Sequence, residues 1–82
     1  MNNTTTEFKQ FIKGINIITP DVIRYGKTKK HIFELSQGAG FDGKTIYGVT
    51  VVNVLTRENV SDELGGCFHS LEFAEAVIAD IK

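Results

Sequence analysis

The stretch that decides the fold runs from Thr45 to Thr56 and reads TIYGVTVVNVLT. It is rich in valine and isoleucine, whose branched side chains fit a pleated strand better than a helix. The segment before it, Gly38–Gly43, has the glycine-rich composition of a turn, and the segment after it, Glu58–Gly66, is mostly polar. The pattern therefore predicts one long strand with a glycine-rich turn before it and a polar loop after it.

Two shorter strands are predicted upstream, at Asp21–Tyr25 and His31–Ser36. The residues between them, GKTKK at positions 26–30, have the length and composition of a lysine-rich hairpin loop. If all five residues form the loop, the strand ends beside it pair with each other and Ile23 faces Phe33. These side chains are then candidates for the core.

The register between the second strand and the long strand depends on the turn that joins them. Asp42-Gly43 suits a two-residue type I′ turn, which would place Leu35 opposite Thr50. A bulge at Gly38 or Gly40 would instead shift the pairing by one residue and turn every side chain to the other face. The sequence leaves both registers open.

Helices are predicted at both ends of the chain. Thr4-x-x-Glu7 is a capping box for a short helix near Thr5 to Lys13, and a short strand follows at Ile15–Thr19. Near the C-terminus, Ser70 can cap a helix whose apolar side chains recur at helical spacing, at Phe73, Ala74, Val77, Ile78 and Ile81.

These elements predict a single small α+β domain over residues 1–82, with residues 1–4 disordered. Its sheet is a three- or four-stranded antiparallel meander, with a short N-terminal helix and a C-terminal helix packed on the sheet. The expected core comprises Phe33, Leu35, Val52, Val54, Phe68, Phe73, Val77, Ile78 and Ile81. Apolar residues occur on both sides of the long strand, so an uncovered face would indicate a homodimer or a partner, and monomer and homodimer both stay open.

Composition narrows the class of protein. The chain is 41% hydrophobic and 23% charged, as in ordinary globular domains, and no stretch is long and apolar enough to cross a membrane. The N-terminal residues MNNTTTEFKQ lack the basic and apolar regions of a secretory signal, and a single cysteine excludes an intramolecular disulfide. We therefore expect a cytoplasmic protein with no membrane contact.

A nucleotide-binding motif is present in the sequence as a string of letters. Positions 38–45 read GAGFDGKT and satisfy the P-loop pattern GxxxxGK[ST]. A true P-loop is followed by a helix whose first amides hold the phosphates. Because the residues after Lys44 predict a strand, we interpret the motif as a glycine-rich hairpin turn.

Cys67 and His69 are two residues apart and would share a face in an extended segment. A nucleophile pair or two metal ligands could be arranged in this way. Both kinds of site need further groups at a workable spacing, and the sequence offers none nearby. We expect no metal, no cofactor and no enzymatic activity, with Cys67 buried and His69 facing solvent.

Charge is segregated along the chain, and positions 58–82 carry six acidic residues and one lysine. An acidic face would mimic a polyanion and be steered onto the basic grooves of nucleic-acid-handling proteins. We hypothesise a small protein-binding module of the kind that phage and mobile elements encode as inhibitors, such as anti-CRISPR proteins. Its binding face would comprise Glu58, Asp62, Glu63, Glu72, Glu75 and Asp80. The competing interpretation is that these acids solvate the exterior of the fold.

The alternative function is nucleic-acid binding through the basic hairpin. Positions 24–57 carry six basic and two acidic residues, and most of the cations cluster near the lysine-rich loop. Such cations with a neighbouring aromatic suit a phosphate backbone. The residues of this alternative site are Arg24, Lys27, Lys29, Lys30 and Lys44.

Overall fold

The computed structural model describes residues 21–40 and 42–82, which form a four-stranded antiparallel sheet and two helices. The elements follow the chain as β1 (Asp21–Lys27), β2 (His31–Ala39), β3 (Thr45–Asn53), α1 (Ser61–Leu64), β4 (Gly66–Phe68) and α2 (Leu71–Ala79). The strands lie side by side in sequence order, so the α+β class and the antiparallel meander are confirmed. The N-terminal helix, the strand at Ile15–Thr19 and the disorder of residues 1–4 fall outside the described residues.

The β1–β2 hairpin is tighter than the sequence suggested. Lys27 pairs with Ile32, and the Thr28 amide donates a hydrogen bond of 2.8 Å to the carbonyl of His31, which leaves a turn of only two residues. The predicted five-residue loop is therefore wrong, and Tyr25 lies opposite Glu34.

Gly26 lies within β1, at a position where the packing of a neighbouring side chain requires a glycine. The ring of Phe33, its partner on β2, lies directly over it, and a Cβ atom at Gly26 would come within 2.0 Å of the ring. Sequence reasoning treated this glycine as a turn residue, although its role is to make room for an aromatic side chain.

The β2–β3 register is the shifted one of the two alternatives. Leu35 lies opposite Val49, and the ladder continues without a bulge to the end of β2. The shift comes from the turn, in which the Gly40 amide donates to the Lys44 carbonyl at 2.8 Å across a three-residue connection. Gly43 has φ +79°, which suits the left-handed position of such a turn. Of the two registers left open by the sequence, the one set by a two-residue turn is therefore excluded.

β3 is shorter than predicted and ends at Asn53. The Asn53 side-chain oxygen accepts hydrogen bonds from the amides of Leu55 and Thr56, at 2.8 and 3.0 Å. An asparagine that binds the backbone two residues ahead favours a turn over a continued strand. The residues after Asn53 therefore leave the sheet and lead into α1.

The main core lies between the sheet and α2. Its buried side chains are Phe33, Leu35, Val49, Val51, Ala74, Ile78 and Ile81. Of the predicted core, Phe33, Leu35, Val52, Ile78 and Ile81 are buried, whereas Val54, Phe68 and Val77 are only half-buried.

Phe73 is the clear error in the predicted core, since 59% of it is exposed. The short helix α2 turns a narrow face to the sheet; this face consists of Ala74 and Ile78, and Ile81 is buried just past the end of the helix. The apolar stripe read from the sequence is wider than the sheet can cover. Phe73 and Val77 consequently lie on the flank of the helix.

Candidate protein-binding groove

A groove of about 310 Å³ lies beside α2, on the flank to which its surplus apolar residues point. It is bounded by α1, by β4 and by the second half of α2. Its walls include Glu63, Leu64, Phe68, Val77, Asp80 and Ile81. We call it the C-terminal groove.

The α1 wall of the groove is fastened to the central strand. The Val60 amide donates to the Val51 carbonyl at 2.8 Å, and the Ser61 hydroxyl oxygen accepts from the Val51 amide at 2.9 Å. The sequence was interpreted here as a polar loop, because a single helical turn has too few residues to show a periodic pattern. These backbone contacts hold Glu63 and Leu64 in place.

The α2 wall begins at the predicted cap. The Ser70 hydroxyl oxygen accepts a hydrogen bond of 3.3 Å from the Phe73 amide. The Phe73 ring packs against Phe68 with centroids 5.2 Å apart, and it precedes Val77 by one helical turn. Because Phe68 and Val77 both line the groove, Phe73 extends its apolar surface outward into solvent.

Two carboxylates stand on opposite walls of the groove. Glu63 belongs to α1 and Asp80 caps the C-terminus of α2; both are exposed and neither has an ion-pair partner within residues 21–40 and 42–82. Asp80 lies at the negative end of the helix dipole, and no basic residue accompanies it in the last turn. A positively charged group is the natural complement to this end of the groove.

Replacing Asp80 with asparagine should stabilise the fold. Removing a negative charge from a helix C-terminus is worth about 0.3 to 1 kcal/mol, because the charge opposes the dipole there. Urea unfolding of the Asp80→Asn variant measures this gain. The matched control is Glu72→Gln, which removes an acid from the favourable first turn and should destabilise; equal shifts in both variants would contradict a dipole origin.

The remaining residues of the predicted acidic face are spread around the fold. Glu58 lies in the turn after β3, Asp62 lies on α1 and Glu72 lies in the first turn of α2, and all three are exposed. Glu75 instead forms an ion pair of 2.5 Å with Arg24 of β1. Of the six predicted acids, the structure thus brings only Glu63 and Asp80 together at the groove.

The structure separates the residues of the alternative nucleic-acid site. Lys27, Lys29 and Lys30 lie at the β1–β2 end of the sheet, whereas Lys44 lies in the opposite hairpin, roughly 27 Å away along β2. Arg24 is paired with Glu75, and its guanidinium lies 5.4 Å from the centre of the Phe33 ring on the core side of the sheet. These cations do not share one surface.

The motifs that suggested chemistry are placed as follows. β3 begins at Thr45, the last residue of the P-loop-like string, so the predicted strand after Lys44 is confirmed. Cys67 is exposed on the edge strand β4, so its predicted burial is wrong, while His69 is exposed as expected. No group of three potential metal ligands occurs in residues 21–40 and 42–82.

Sequence reasoning missed a buried carboxylate on the other face of the sheet. Glu34 is 1% exposed, and neither of its carboxylate oxygens has a hydrogen-bond partner in the described part of the chain. Burial raises the pKa of Glu34, and the nearby Tyr25 hydroxyl offsets only part of that rise. Burial also raises the pKa of Tyr25, with a further contribution from the Glu34 charge. In the sequence Glu34 alternates with Phe33 and Leu35, a pattern that by itself predicts a solvent-facing acid, so its burial could not be read from β2 alone.

No protein-family model, no curated protein and no solved structure significantly matches this chain. Neither helix of the described residues has the length and apolar character needed to cross a membrane. The functional interpretation therefore rests on the C-terminal groove and the charges around it.

Proposed function

We propose that this chain is a small non-enzymatic protein-binding module that occupies a surface on a larger partner. The observation that carries the proposal is the C-terminal groove itself, a partly apolar depression beside an exposed phenylalanine. It is lined by two carboxylates that have no ion-pair partner among residues 21–40 and 42–82. Protein interfaces concentrate their binding energy in aromatic residues that are surrounded by polar groups. The groove has this composition.

The negative charge of the groove favours a partner with a positively charged surface. Carboxylates at the edge of an interface raise the association rate with a positively charged surface and discriminate against acidic ones. Basic surfaces are typical of proteins that handle nucleic acids. The proposed activity is therefore inhibition by occupancy, of the phage or anti-CRISPR-like kind, in which acids such as Glu63 and Asp80 take the place of phosphates.

Charge reversal at the groove tests this function. Tagged full-length chain is used to capture a partner from a lysate of its host, and the stoichiometry of the complex is measured by light scattering. We expect the double variant Glu63→Lys and Asp80→Lys to lose at least tenfold in affinity, since two favourable charge contacts become repulsive. Heparin, a polyanion, should displace the same partner from the wild-type chain.

The matched control is the double variant Glu58→Lys and Glu72→Lys. It makes the same change in net charge at exposed positions outside the groove. Retention of the partner by this control supports a localised site. Equal loss in both double variants, absence of any stoichiometric partner, or indifference to heparin would overturn the proposal.

A further inference from the structure

The C-terminal groove is too small for a folded element of another protein. Its volume of about 310 Å³ is at the lower end of the range for ligand sites, which suits one or two large side chains. An extended peptide segment that inserts a single anchor fits this size better than a helix does, since a helix is about 10 Å wide. The occupant is therefore defined by a few side chains of one segment.

The anchor of that segment must be apolar. Leu64, Phe68 and Val77 line the groove, and the Phe73 ring, which packs against Phe68, extends this apolar surface into solvent. An aromatic or large aliphatic side chain set against Phe68 and Phe73 would cover a ring that the fold leaves mostly exposed. No described element packs over this side of Phe73.

The spacing between anchor and charge follows from helix geometry. Asp80 comes seven residues after Phe73, which corresponds to about 10 Å along the axis of α2. An extended chain advances about 3.3 Å per residue, so it spans this distance in about three residues. A cation at that position lies beside Asp80, in a groove that Glu63 also lines.

We infer that the groove binds a short extended segment of a partner protein that carries one large apolar residue and, about three residues away, an arginine or lysine. This inference rests on the proposed function and names the chemistry of the segment that is bound. Arginine suits the site better than lysine, because its planar fork can contact two carboxylates at once.

Selection from a random dodecapeptide library tests the inference. Peptides are selected on immobilised full-length chain and remade in labelled form, and their affinities are measured by fluorescence polarisation. We expect the enriched peptides to share an aromatic or leucine residue about three positions from arginine or lysine. Phe73→Ala should weaken such a peptide by at least tenfold, which is typical of an anchor contact. Leu55→Ala is the matched control, since Leu55 is 74% exposed outside the groove, and it should leave the affinity unchanged.

Amide chemical shifts upon peptide addition locate the complex, and they should change at residues 63–81. Enrichment of acidic or purely apolar peptides, no enrichment, or equal effects of Phe73→Ala and Leu55→Ala would overturn the inference. The proposed function fails separately, when the charge-reversal variant at Glu63 and Asp80 still captures the protein partner. If the partner is lost on charge reversal but still binds the Phe73→Ala variant, the proposed protein-binding function stands and the inference of an anchored segment is overturned.

Discussion

Replacing Gly26 with alanine adds only one methyl group but should strongly destabilise the fold. The new Cβ would lie 2.0 Å from the Phe33 ring, and the ring is buried in the main core, so the strand or the ring must move. Overpacking of a core costs about 1 to 3 kcal/mol, a large fraction of the stability of a domain this small. Urea unfolding followed by circular dichroism measures the loss.

Two variants separate this clash from a general effect of losing a strand glycine. Gly48→Ala is the control, because a Cβ at Gly48 meets only the Ser36 hydroxyl at 3.2 Å, and its effect should be small. The double variant Gly26→Ala and Phe33→Leu replaces the ring with a smaller side chain. Its loss of unfolding free energy should be smaller than the sum of the losses in the two single variants. Additive effects in that cycle would show that the ring is not the obstacle.

Glu34→Gln should stabilise the protein at neutral pH by on the order of 1 kcal/mol, the size of a modest change in the pKa of a buried carboxyl. Burial disfavours the charged form of this carboxyl, and the nearby Tyr25 hydroxyl offsets only part of that effect. The neutral amide keeps the shape of the side chain and removes the charge. Thermal and urea unfolding at pH 7 provide the measurement.

The pH dependence of the free energy of unfolding provides a second test of the role of Glu34. Because burial raises the pKa of Glu34 above its ordinary value of 4.5, the folded chain holds a proton that the unfolded chain has already released. Stability should therefore fall as the pH rises from about 4.5 through the folded pKa, and Glu34→Gln should remove that fall. Glu63→Gln, at an exposed acid, is the control and should keep the wild-type profile. A wild-type free energy of unfolding that does not fall over this range would contradict the assignment.

Local sequence signals were sufficient to predict the elements that depend on only a few neighbouring residues. The β-branched composition after Lys44 predicted a strand despite the P-loop-like string, and Ser70 predicted the start of α2. The sequence left the β2–β3 turn open for a local reason, since a two-residue and a three-residue hairpin draw on the same glycine and aspartate. The one-residue difference in the length of this turn decided which side of β3 faces α2.

The candidate site depended on contacts between segments that are distant in the chain. The exposure of Phe73 follows from how little of α2 the sheet covers, and Glu63 lines the same groove as Asp80 because α1 is bonded to β3. The ion pair between Arg24 and Glu75 removed one residue from each predicted charged site.

By itself, the sequence determined the α+β class, the approximate positions of β1, β2 and β3 and the cap of the last helix, because composition, periodicity and capping act within one element. The short strand β4 was not predicted. Only the tertiary structure decided the strand register, the burial of Glu34 and the assembly of the C-terminal groove. Those features depend on which side chains meet across elements, and pairwise packing is not encoded in the pattern of any one segment.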